Sequence, residues 1–174
     1  MTAPGRAACI GAGVIGAGWA ARLSLNGVDV AIADPDPAAP RKVAEVLDNA
    51  ARANAALTSA PLPAPGRIDF AGSAAEAAEG AELIVESLPE RLEAKRAVYA
   101  EVEAGAAPEA LIASSTSGIL PTELQAGMRH PERLLVAHPF NPVWRIDHRS
   151  RMVPVWASTK NASRCIECVF ARIT

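Results

Sequence analysis

The sequence predicts an α/β fold, a doubly wound parallel sheet, and three observations predict it. Short apolar runs alternate with helix-like stretches, the pattern that yields a parallel sheet covered on both faces. The first run, RAACI (6–10), leads straight into GAGVIG (11–16), a G-x-G-x-x-G that opens a helix. An acidic residue, Asp34, closes the second apolar run, 23 residues after Gly11.

The elements follow in order. RAACI reads as a buried strand, Gly11 to Gly16 as a turn, and Val14 to Leu25 as a helix. VDVAIA (28–33) is a second strand, followed by an extended loop with Pro35, Pro37 and Pro40. The Ala-rich stretch from Arg41 to about Leu57 is a helix with proline ahead of its first turn. TSAPLPAPG is a stiff loop, because each proline fixes φ and disfavours helix in the residue before it. RIDFA (67–71) is a third strand, and Ser73 caps a short helix to Glu79. ELIVES (82–87) is a fourth strand, and Pro89 is expected to open a helix to about Glu103, with Leu92, Val98 and Val102 on its apolar face. ALIAS (110–114) and RLLVA (133–137) complete the sheet, with a short helix near Pro121 to Gln125 between them.

Composition narrows the function classes. The chain has 174 residues, half of them hydrophobic and 21% charged, which suits one globular domain rather than a disordered chain. Its 38 alanines favour helices. A net charge of -2 carries no basic field of the kind nucleic-acid binders need, so no nucleic-acid partner is expected. No apolar run approaches the roughly 18 residues of a membrane span, and no signal-peptide pattern opens the chain. Three cysteines build no disulfide framework, and a cytoplasmic setting is expected. Cys165 and Cys168 form a C-x-x-C without a second metal-binding pair, so no metal is expected.

The glycine motif carries the first chemistry. Gly11 permits a tight turn, Gly13 leaves room for a pyrophosphate against the backbone, and Gly16 allows close packing. The first-turn amides, including those of Val14 and Ile15, then face the phosphates with the positive end of the helix dipole. Asp34 is placed to accept hydrogen bonds from the adenosine ribose and would repel a 2′-phosphate. The expected cofactor is therefore NAD rather than NADP.

Further along stand IVESLPE (84–90), IASSTSGILP (112–121) and AHPFNPV (137–143). With the glycine fingerprint, these resemble the 3-hydroxyacyl-CoA dehydrogenase family, and within it the carnitine-oxidising branch. The resemblance covers residues 6–143 and implies a Rossmann domain followed, in that family, by a helical domain that completes the substrate cleft and the dimer interface. It implies NAD-dependent oxidation of the 3-hydroxyl of a small 3-hydroxy acid derivative, with L-carnitine as the expected substrate. The alternatives are a 3-hydroxyacyl-CoA substrate or a non-catalytic NAD-binding fragment. By the same resemblance His138 is the catalytic histidine and Ser117 the serine that contacts substrate hydroxyl and cofactor. Asn141 lies near the nicotinamide, and Glu90 and Lys95 contact the cofactor's second half. A histidine suits the base because its ordinary pKa lies near neutrality. Phe140 and Trp144 are candidate aromatic walls for a trimethylammonium group. The short Pro-rich loop before RIDF also favours a small substrate.

After Val143 the family pattern is lost. The family's glutamate partner of the histidine is expected about twelve residues after His138, where Ser150 stands. Pro154 takes that place if the MVPV run is aligned, and Asp147 is the nearest acid. Residues 1–143 carry 11 Lys+Arg and 17 Asp+Glu, whereas 144–174 carry 6 and 2, giving about -6 and +4. The last 31 residues also hold two of the three Trp and no Leu or Gly. They are expected to be an atypical basic tail, out of frame or truncated, in place of the helical second domain.

Overall fold

The computed structural model describes residues 4–57, 63–139 and 141–145. Six parallel strands form one sheet: β1 (Arg6–Ile10), β2 (Asp29–Ala33), β3 (Ile68–Phe70), β4 (Leu83–Glu86), β5 (Leu111–Ser114) and β6 (Leu134–Val136). Their spatial order is β3-β2-β1-β4-β5-β6. Five helices connect them: α1 (Val14–Leu25), α2 (Ala39–Leu57), α3 (Ala74–Ala78), α4 (Leu92–Gly105) and α5 (Pro121–Leu124). The expected doubly wound parallel sheet is the observed one.

The strands read as unbroken apolar runs because both faces are covered. Ala7, Cys9, Val30, Ile32, Leu83, Val85, Ala113 and Leu135 point to the side of α1 and α2. Their neighbours Ala8, Ile10, Ala31, Ala33, Ile84, Ile112, Leu134 and Val136 meet α3, α4 and α5. That period of two sets the site, because Glu86 and Ser114 share the parity of Ile84 and Ile112 and so face α4.

The element boundaries match closely at α1 and β1. Ser73 caps α3 as expected, its side chain accepting from the Glu76 amide at 3.1 Å. α4 begins at Leu92 rather than Pro89. Residues 89–91 form a turn closed by the Arg91 amide on the Pro89 carbonyl, which carries Glu90 out towards the β5 loop. α2 starts at Ala39, directly after a turn in which Asp36 accepts from the Ala38 amide.

Register brings the sequence motifs to one rim. Ile10 pairs with Ala33 and Glu86, Glu86 with Ser114, and Ser114 with Val136. The next residue along each strand donates its amide to the neighbour's last carbonyl: Gly11 to Ala33, Ser87 to Ile10, Ser115 to Glu86 and Ala137 to Ser114. Asp34, Gly11, Ser87, Ser115 and Ala137 therefore form a row just beyond the carboxyl ends of the strands. Strand order reverses between β1 and β4, and that switch point is where an open α/β sheet binds its ligand.

Candidate functional site

The glycine loop opens the crevice. Gly11 has φ +93, in the left-handed region that only glycine enters freely. A Cβ at Gly16 would lie 1.8 Å from the Gly11 carbonyl oxygen and 3.4 Å from Cβ of Ser87, so the loop folds onto the start of α1. A Cβ at Gly13 would meet nothing within 4 Å. The bare backbone there faces open space, which is what a pyrophosphate needs to approach it. The first helical bond of α1 runs from Ala17 to Gly13, so the amides of Val14, Ile15 and Gly16 precede the hydrogen-bonded ladder. No acidic residue stands in that first turn to compete for them.

Asp34 stands across the loop, half-buried. One carboxylate oxygen accepts from the Ala12 amide at 2.6 Å and the other from the Asp36 amide at 2.8 Å. A carboxylate has about four acceptor positions. Asp34 thus ties the glycine loop to the end of β2 and keeps acceptors for a sugar diol. The cradle and the acid fit a dinucleotide with its adenosine end at β2. Bound NAD would supply the hydride acceptor at nicotinamide C4.

On the other side of the switch point the groups converge from β4, β5 and β6. Glu90 Oε1 accepts from the Thr116 hydroxyl and from the amides of Ser117 at 3.0 Å and Gly118 at 2.9 Å. One carboxylate oxygen therefore holds the whole SSTSG turn, and the Ser117 side chain stands exposed at its tip. Ser87 and Ser115 face each other across the crevice floor, their hydroxyl oxygens 3.1 Å apart. His138 is half-buried, two residues past the end of β6, and Asn141 is exposed beyond it.

Burial pushes the Glu90 carboxyl up, but hydrogen bonds from Thr116, Gly118 and Ser117 and the charge of Lys95 outweigh it, and the net pKa is lowered. A lowered folded pKa stabilises the fold above the unfolded carboxylate range near pH ~4.3. That contribution is lost as pH falls through the lowered value. Glu90→Gln should flatten this acidic part of the stability profile while leaving the neutral-to-alkaline shape unchanged, as thermal melts across pH would read.

Lys95, the other residue expected at the cofactor's second half, is buried beside Glu90. Its ammonium is 1% exposed and donates to Glu86 at 2.6 Å and to the Leu88 carbonyl at 3.2 Å, with Glu90 at 3.6 Å. Glu86 and Leu88 take two of the three donors of the lysine, and Glu90 stands at ion-pair distance. Lys95 sits under Glu90 on the β4–β5 side of the crevice. Trp144 is displaced from its expected role. It packs with Ala21, Leu25, Ala50, Val46 and Leu47 on the flank of α1 and α2, while Val143 seats against Gly18. Phe140, Asp147, His148, Ser150, Pro154, Cys165 and Cys168 lie outside the described residues.

Sequence reasoning missed Glu86, Tyr99 and Ser114, which lie fully buried under this half of the rim. The available signal was an acid ending an otherwise apolar strand, with Lys95 and Tyr99 at i and i+4 on the helix that covers it. Among the described residues no helix is long and apolar enough to cross a membrane.

Comparison with known proteins fits this geometry. The family description "3-hydroxyacyl-CoA dehydrogenase, NAD binding domain" matches residues 6–171. The chain is 58% identical over 139 residues to an L-carnitine dehydrogenase/betainyl-CoA thioesterase of a Rhizobium species, covering 80% of this chain and 28% of that one. It is 54% identical over 145 residues to an L-carnitine dehydrogenase of Mesorhizobium japonicum, covering 83% and 40%. The chain thus spans well under half the length of these relatives. Among solved structures, the NAD-dependent 5-formyl-3-hydroxy-2-methylpyridine 4-carboxylic acid 5-dehydrogenase superposes with TM-score 0.82 at 30% identity, covering 97% of this chain and 55% of that one. The 3-hydroxybutyryl-CoA dehydrogenase of Escherichia coli gives TM-score 0.69 at 30% identity, covering 82% and 31%. With cradle, acid and motifs in register, the chain belongs to the 3-hydroxyacyl-CoA dehydrogenase family and carries its NAD-binding domain.

Proposed function

We propose that this domain serves an NAD-dependent oxidation of the 3-hydroxyl of a small 3-hydroxy acid, with L-carnitine as substrate. The observation that carries it is the convergence of Ser117, Glu90 and His138 on the rim across the switch point from the glycine loop. The names of the most similar relatives support the choice of carnitine.

The roles follow from residue chemistry. His138 takes the hydroxyl proton as hydride leaves the same carbon. Ser117 holds the alcohol oxygen, donating or accepting as needed. Asn141 offers both donors and acceptors to the amide of the nicotinamide. Glu90 keeps the Ser117 turn in place. Gly11, Gly13, Val14, Ile15 and Gly16 hold the phosphates, and Asp34 the adenosine ribose. The connection from α2 to β3 favours a small substrate. Its second half is pinned away from the rim by the Gly66 amide on the Ser24 carbonyl at 2.8 Å and the Ser24 hydroxyl on the Gly66 carbonyl at 2.7 Å.

NADH formation from L-carnitine and from 3-hydroxybutyryl-CoA tests the reading. Turnover of L-carnitine in preference to the thioester supports it. Preference for the thioester moves the substrate to the acyl-CoA class, and no turnover of either by a chain that binds NAD leaves a non-catalytic binding module.

A further inference from the structure

Glu86 is fully buried beneath the crevice, and four hydrogen bonds converge on its carboxylate. The Leu88 amide and the Lys95 ammonium donate to Oε1, and the Tyr99 and Ser114 hydroxyls donate to Oε2, each at 2.6 Å. The carboxylate is fully buried and its acceptor positions are filled. The four donors come from the β4–α4 loop, from two successive turns of α4 and from the end of β5. Each of these segments leads to a rim group. Lys95 continues to Glu90, and Ser114 begins the turn that Glu90 holds.

Stability alone does not account for such a cluster. A buried ion pair is often no better than well-packed apolar side chains of the same volume. What it supplies is directional: one charge with four short bonds allows one arrangement of the three segments, and partial satisfaction would be costly.

We propose that Glu86, with Tyr99, is a positioning residue for the nicotinamide half of the site. It fixes the Lys95 ammonium, and through it the Glu90 carboxylate and the Ser117 turn, on the β4–β5 side of the crevice. This rests on the assignment of the crevice to NAD. The adenosine half, built on Asp34 and the glycine loop, receives none of these bonds. The network therefore separates the two halves of the cofactor energetically.

The test compares calorimetric titrations with NAD and with ADP, which keeps adenosine and both phosphates but lacks the second ribose and nicotinamide. Tyr99→Phe removes one bond to Glu86 and keeps the ring. It should weaken NAD binding about tenfold, of the order expected for one hydrogen bond to a charged group, while ADP stays within about twofold. The double variant Glu86→Gln with Lys95→Met replaces the ion pair by neutral groups of similar shape. It should melt close to the unmodified chain yet keep the selective loss of NAD affinity. Equal losses for NAD and ADP in Tyr99→Phe overturn the proposal. So does recovery of full NAD affinity in the double variant. An unmodified chain that binds neither ligand overturns the NAD assignment, and this proposal with it.

Discussion

Alanine in place of Gly16 is expected to weaken NAD binding about a hundredfold, equivalent to about 3 kcal/mol, and to lower the melting temperature by several degrees. The new Cβ would sit 1.8 Å from the Gly11 carbonyl oxygen, a backbone atom with no rotamer to yield. The loop must open, and overpacking of this kind costs about 1–3 kcal/mol. Opening also turns the first-turn amides away from the phosphates. Gly13→Ala provides the contrast. Its Cβ meets nothing within 4 Å and its φ of -65 suits alanine, so the fold should melt nearly unchanged. The same methyl occupies the space through which the pyrophosphate approaches, and NAD affinity should still fall. Melting curves with and without NAD separate the two variants: both lose the ligand-induced shift, and only Gly16→Ala loses intrinsic stability.

His138→Ala is expected to lower kcat for L-carnitine oxidation by about 10²–10⁴-fold, the range supplied by a positioned general base. NAD affinity should change little, because the imidazole lies past β6 and the phosphate cradle lies at β1. Ser117→Ala should raise KM and lower kcat together, since its hydroxyl holds the alcohol in both ground and transition states. Steady-state rates beside a direct NAD titration distinguish a lost base from a lost binding site. If His138→Ala retains the rate of the unmodified chain, the histidine is not the base.

The strands were legible because a sheet covered on both faces leaves no polar alternation to interrupt the apolar runs. The glycine loop was legible because its three glycines answer separate geometric demands at Gly11, Gly13 and Gly16. Ser73 announced α3 through its cap. The under-rim network was hidden for the opposite reason. Lys95 and Tyr99 look like solvent-facing residues of an ordinary helix, and only the parity of Glu86 on β4 turns that face inward. Leu92 and Val98, expected on the apolar face of α4, are only half-buried, while Lys95, Tyr99 and Glu103 are buried beside Val102. A helix that buries charge against a strand carboxylate defeats a reading based on hydrophobic period. The grip of Glu90 on the Ser117 turn depends on the non-helical residues 89–91, which local propensity assigned to the helix. Trp144 looked like a pocket wall by nearness in sequence to His138, whereas Gly18 on α1 leaves the space that draws Val143 and Trp144 to the opposite flank.

The most direct measurement is a calorimetric titration of the unmodified chain and of Asp34→Ala with NAD and with NADP. A carboxylate holding the ribose diol predicts that the unmodified chain favours NAD by at least about tenfold, a difference of about 1.4 kcal/mol. Asp34→Ala should weaken NAD by about tenfold or more, as expected for lost hydrogen bonds to a charged group, and should narrow the gap to NADP. Equal affinity for the two cofactors, or NAD binding unchanged by the substitution, would contradict the account.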